Sequence, residues 1–147
     1  MSHIASYRTR LKVNHNCTTE HSRQNDPTWR LLREAGEAAA QDLGGQVVST
    51  VTDYYGRHVP VDLGIITPKW PRGVGIRVSP VNGEVSFVYD PYEDRRGAAK
   101  KIAETVTQNY TALAVAQALR AMNYEVEMDQ IAESDHGARS VLVRGVL

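Results

Sequence analysis

A chain of 147 residues, 41% hydrophobic and 23% charged, has the size and balance of one globular domain spanning 1–147, and it can bury roughly two-thirds of its unfolded surface without disulfides or metal. Seventeen basic and seventeen acidic residues cancel, which argues against a dedicated nucleic-acid binder, and the single Cys17 excludes an internal disulfide and fits a reducing compartment. No apolar run approaches the ~20 residues of a membrane span and Met1–Ala5 lacks the regions of a signal peptide, so a cytoplasmic protein without a membrane partner is expected.

The chain opens on an alternating strand. His3, Ala5, Tyr7, Thr9, Leu11 and Val13 are expected on the core side, with Ser2, Ile4, Ser6, Arg8, Arg10 and Lys12 on the wet side. Residues 14–25 are polar and aperiodic and read as a loop or insertion. Asp26-Pro27 starts a helix, since the carboxylate can accept from free first-turn amides and proline suits the first position. Trp29, Leu32, Gly36, Ala39 and Leu43 form its apolar face, and Gly44-Gly45 ends it. The small residues on that face would let the helix lie close to a sheet.

Four strands are expected next, at Gln46–Thr52, Val59–Thr67, Val74–Ser79 and Glu84–Tyr89. Pro68 to Gly73 reads as a break, and Asn82-Gly83 as a tight hairpin turn in which both residues tolerate positive φ. A long helix follows from Ala98 to Met122, with Ile102, Val106, Tyr110, Leu113, Ala116 and Leu119 apolar and Asn123 as its cap. Tyr124–Met128 and Ser140–Val146 close the chain as a strand pair. The order β-α-β-β-β-β-α-β-β implies an α+β fold, a mostly antiparallel sheet with two helices packed on one face.

Several segments carry a family resemblance. The opening Met1-Ser2-His3 precedes a strand from Ile4 to Leu11. Gly56 is followed by Val61-Asp62, and Lys101-Ile102 leads to Val106-Thr107-Gln108-Asn109-Tyr110 and then Tyr124-Glu125-Val126. Together these resemble domain-of-unknown-function family 1257, which includes a conserved hypothetical open reading frame of plastids and cyanobacteria. The resemblance covers most of the chain and is best from about Gly56 onward, while the polar loop 14–25 departs from the family pattern. That family has no established reaction and offers no catalytic residue to carry over. Its members often neighbour AAA-type ATPases in genomes, so the resemblance implies an accessory role with such an ATPase as protein partner.

Three constellations bear on chemistry. His15, Cys17 and His21 form a His-x-Cys-x3-His cluster, with Glu20 and His3 as further donors, and sulfur with imidazole suits zinc. The spacing fits no standard structural zinc pattern, and a polar loop that happens to hold three such residues explains it better; no cofactor is otherwise expected. A Cys17 nucleophile served by His15 or His21 is a weaker reading, because near neighbours on a loop do not hold catalytic geometry. Arg8, Arg10 and Lys12 line one strand face, and Arg57, His58, Arg72, Arg95, Arg96, Lys100 and Lys101 add positive charge. They are anion or nucleic-acid candidates, with Tyr7, Tyr54, Tyr55 and Trp70 available to stack on bases. The bland alternatives are a solubilised sheet edge and an exposed helix start. Basic residues at Arg95 to Lys101 oppose the helix dipole and mildly favour an external anion. Third, Tyr89-Asp90-Pro91-Tyr92-Glu93-Asp94 gathers three carboxylates that suit a divalent cation or, more simply, a charged turn.

Gly73-Val74-Gly75 lacks the third glycine and following helix of a dinucleotide site, and Trp70 between Pro68 and Pro71 reads as a plug over the core or an anchor for a partner. No phosphate-binding loop, nucleophile elbow or His-Glu-x-x-His is present, so no catalytic residue is assigned. Charge is uneven. Residues 1–33 hold six basic side chains against two acidic, and residues 121–147 hold two against five. A binding or adaptor module acting on a protein partner is the leading expectation. Nucleic-acid or phosphate binding and a metal-binding sensor or enzyme are the alternatives, and the charge asymmetry also suits a homo-oligomer.

Overall fold

Strand β1 (Ala5–Lys12) leads to helix α1 (Pro27–Asp42), then to β2 (Gln46–Thr52), β3 (His58–Thr67), β4 (Trp70–Val78) and β5 (Glu84–Tyr89), helix α2 (Ala98–Ala121), and finally β6 (Glu125–Ala132) and β7 (Arg139–Val146). The computed structural model describes residues 3–13, 25–132 and 139–146. The first five strands form one antiparallel sheet in the order β1-β5-β4-β3-β2, while β6 and β7 pair only with each other. The α+β expectation and its element order therefore hold.

The helices begin and end for local reasons. Asp26 Oδ1 accepts from the Trp29 amide at 3.0 Å and Pro27 occupies the first turn of α1. Gly44, at φ 68°, closes the helix, and Gly45 N–H reaches back to Ala40 O at 2.8 Å. Helix α2 ends similarly, with Asn123 at φ 66°. It starts at Ala98, as the spacing predicts. Gly97 leads in at φ 67° without a side-chain cap, and Asp94 supplies the carboxylate instead, accepting from Ala98 N at 2.7 Å and Ala99 N at 3.1 Å. Asp94 thus places a carboxylate of the chain itself against the first free amides of α2.

Both helices contribute to one core. Trp29, Leu32, Ala35 and Ala39 of α1 and Ala99, Ile102 and Val106 of α2 meet Leu63, Ile65, Ile76, Val85 and Phe87 of the sheet. Gly36 sets the approach of α1, since a Cβ there would lie 2.6 Å from Leu63 Cδ2. A second, smaller apolar group forms around Gly75, where a Cβ would meet Val61 Cγ1 at 2.4 Å and Val88 Cγ2 at 2.9 Å. Glycine here admits neighbouring valines that any side chain would displace.

Three details correct the sequence reading. The break expected over Pro68–Gly73 is confined to the turn Pro68-Lys69, and β4 starts at Trp70. Thr67 pairs with Trp70, and Thr67 Oγ1 accepts from Trp70 N at 3.1 Å, so β3 turns directly into β4. The Asn82-Gly83 hairpin is longer than a two-residue turn. Ser79 N–H donates to Glu84 O, Gly83 N–H to Ser79 O, and only Gly83 takes positive φ, at 73°. Tyr7, expected in the core, is 42% exposed and stacks on Tyr89 at 4.8 Å, because β1 is an edge strand with the sheet on one side only.

Candidate functional site

Two turns, one after β2 and one after β5, are joined by a hydrogen bond, and a buried carboxylate organises each. In the β2–β3 turn Asp53 accepts from Tyr55 N and Arg57 N through Oδ1, both at 2.9 Å, and from Arg57 Nε through Oδ2 at 2.6 Å. Gly56, at φ 83°, completes this turn. At the end of β5 Asp90 reaches in two directions, taking Tyr92 N at 3.0 Å within its own loop and Tyr54 N at 2.9 Å from the neighbouring turn. An aspartate that accepts from the amide two residues on is a turn-former in sequence. Asp90 in addition ties the two turns together.

Tyr54, Tyr55 and Tyr92 emerge from this frame 46%, 66% and 41% exposed. Tyr54 meets Tyr92 edge-on at 4.6 Å and Tyr55 at 5.6 Å. Arg72 passes behind them. Its guanidinium lies 4.3 Å over Trp70 and 5.6 Å from Tyr54, and Nη2 donates to Tyr92 O. Arg72 Nη1 is buried without a hydrogen-bond acceptor among the described residues, and the aromatic faces are the favourable surroundings it has instead. Trp70 is buried and donates Nε1–H to Gly73 O at 3.2 Å, so it serves as the plug. Arg57 leans on Tyr55 at 5.6 Å.

The electrostatics follow from these contacts. Burial alone would raise the Asp53 carboxyl, but the amides and guanidinium of Arg57 and the Tyr55 amide outweigh it and hold the group below its ordinary value. Asp53 and Asp90 are thus acceptors fixed to the backbone. The chemistry on offer is an aromatic and guanidinium surface on a rigid support, suited to binding.

The sequence-predicted candidates fall elsewhere or apart. Arg8, Arg10 and Lys12 are exposed along β1. Arg95 and Arg96 are exposed in the loop before α2, where Arg95 lies 4.0 Å from Glu93. Ala5 pairs with Tyr89 and Lys12 with Glu84, so the β1 basic row runs away from that loop and the five residues do not form one patch. Asp90 and Asp94, read as cation donors, are occupied by backbone amides. His15, Cys17 and His21 lie outside the described residues, and among those described no three His, Cys, Asp or Glu are grouped to hold a metal. No helix among them is long and apolar enough to cross a membrane.

Tyr54, Tyr55, Trp70, Arg57 and Arg72 were each visible in the sequence as isolated stacking or basic residues. Their meeting was not, because Asp90 reaches the Tyr54 amide 36 residues away in the chain. No family model, curated protein or solved structure matches the chain.

Proposed function

We propose that the chain is a small binding or adaptor module that engages a protein partner through Tyr54, Tyr55 and Tyr92. The observation that carries this reading is three adjacent exposed tyrosines whose backbone is fixed by two buried aspartates. Tyrosine, tryptophan and arginine dominate binding energy at protein interfaces, and a rigid tyrosine contributes contact area at little entropic cost. The resemblance to family 1257 makes an AAA-type ATPase the first partner to test. The tagged protein is purified gently from its native host, with and without nuclease, alongside a Tyr54→Ala/Tyr92→Ala variant. The reading expects a stoichiometric protein that survives nuclease and is lost from the variant. Partners lost to nuclease, or retained by the variant, overturn it.

The exposed Arg8, Arg10 and Lys12 support the second reading, a nucleic-acid or phosphate ligand. It expects retention on an oligonucleotide that falls steeply with salt, by about one power of salt concentration per phosphate contacted.

A further inference from the structure

Two strands have an edge with no strand partner among the described residues and carry opposite charge in the same period. Strand β1 pairs only with β5, and β6 only with β7. Along β1 the exposed Arg8, Arg10 and Lys12 alternate with the half-buried Thr9 and Leu11, and the irregular pairing to β5 between Arg8 and Lys12 leaves that alternation intact. Along β6 the sequence Glu125-Val126-Glu127-Met128-Asp129 places an acid at every second position, and Glu125 and Glu127 are exposed.

We propose that two copies of this chain pair reciprocally, the β1 edge of each lying against the β6 edge of the other. An antiparallel register that sets Arg10 opposite Glu127 also sets Arg8 opposite Asp129 and Lys12 opposite Glu125. It puts Thr9 against Met128 and Leu11 against Val126 on the other face. Running the strands parallel still opposes base to acid, whereas a slip of one residue sets charges against apolar groups. Opposite charges directly across a strand pair stabilise it and like charges oppose it. Pairing β1 with β1, or β6 with β6, is therefore disfavoured. A two-fold exchange uses the β1 and β6 edges of both chains and closes the assembly. Met128, 39% exposed in the lone hairpin, gains a neighbour. Glu127 already meets Arg144 at 2.9 Å, and a carboxylate can accept from both arginines. The uneven charge of the chain ends becomes a recognition device in a molecule with no net charge to repel its copy.

The test is the mass of the full chain in solution by light scattering across salt concentrations, with circular dichroism to verify folding. The wild type is expected to be a dimer at low salt that weakens as salt screens the exposed pairs. R10E/K12E alone and E125K/E127K alone are each expected to be monomers. Mixed in equal amounts, they should form a dimer, because the reversed positions 10 and 12 of one chain then face the reversed positions 127 and 125 of the other, while the second strand pair keeps its native charges. Should a reversal variant misfold, R8Q/R10Q and E125Q/E127Q are expected to weaken self-association at least about tenfold. A wild type monomeric at every salt concentration overturns the proposal. So does a dimer that survives the substitutions, which would point to the uncharged β2 edge, or a mixture that stays monomeric.

Discussion

The five-stranded body and the β6–β7 hairpin are built from similar amounts of apolar sequence but bury it differently. In the body Leu32, Ile65 and Ile76 are fully covered, and Gly36 and Gly75 stand so close to Leu63 and Val61 that a Cβ would clash. The hairpin packs on the C-terminal half of α2, where Gly145 sits close to Leu119 and Tyr124, and it leaves Met128 and Leu142 about 40% exposed. Two strands alone cannot enclose a core, so the hairpin depends on α2 for whatever burial it has. Stability is concentrated in the body, and the hairpin contributes surface.

The largest test of this contrast is a matched truncation. Leu32→Ala leaves a cavity under α1 and should cost about 2–5 kcal/mol. Leu142→Ala, half in solvent, should stay within about 1 kcal/mol. Denaturant unfolding of the two variants measures the difference, and equal costs would refute the division.

A smaller effect is expected at the joint between the regions. Asp94→Ala removes the acceptor from two first-turn amides of α2, the helix that carries both the body's core and the hairpin, and should cost about 0.5–2 kcal/mol. Asp94→Asn, which keeps an acceptor oxygen, should recover part of that loss. A thermal melt of each variant decides it.

The smallest effects are those of pH, and they act on the body. The Asp53 carboxyl is held below its ordinary 3.8, so its contribution is present above that value and fades as pH falls through the lower folded value. Tyr89 behaves oppositely. Burial, with Tyr7 beside it, pushes its hydroxyl up to about 12. Its contribution is complete below the ordinary 10.0 and is lost as pH rises toward 12. Burial raises the Tyr110 hydroxyl as well, so ultraviolet titration of the phenols should show more than one late-ionising tyrosine, of which one disappears in Tyr89→Phe.

Much of the fold is legible in the sequence because it is dictated locally. Asp26-Pro27 specifies the α1 start, Gly44-Gly45 its end and Asn123 the end of α2, each through hydrogen bonds or φ values within a few residues. The spacing of Trp29, Leu32, Gly36 and Ala39 likewise fixes the buried face of α1. Where the reading went astray, a contact outran the local pattern. Pro68 to Gly73 looked like a break because prolines and glycine mark breaks, yet Thr67 and Trp70 pair across a turn of two residues. Tyr7 looked like core because alternation does not tell an edge strand from a central one.

Periodicity, caps and turn residues act over a few positions and suffice for the elements, their order and the α+β class. Strand order, the separation of β6–β7 from the main sheet, and the site come from contacts between segments distant in the chain. Tyr54, Arg72 and Tyr92 become neighbours because the start of β4 lies beside the end of β5 and Asp90 binds the β2–β3 turn to them. Such a contact depends on how strands are ordered in space, and no spacing along the chain encodes it.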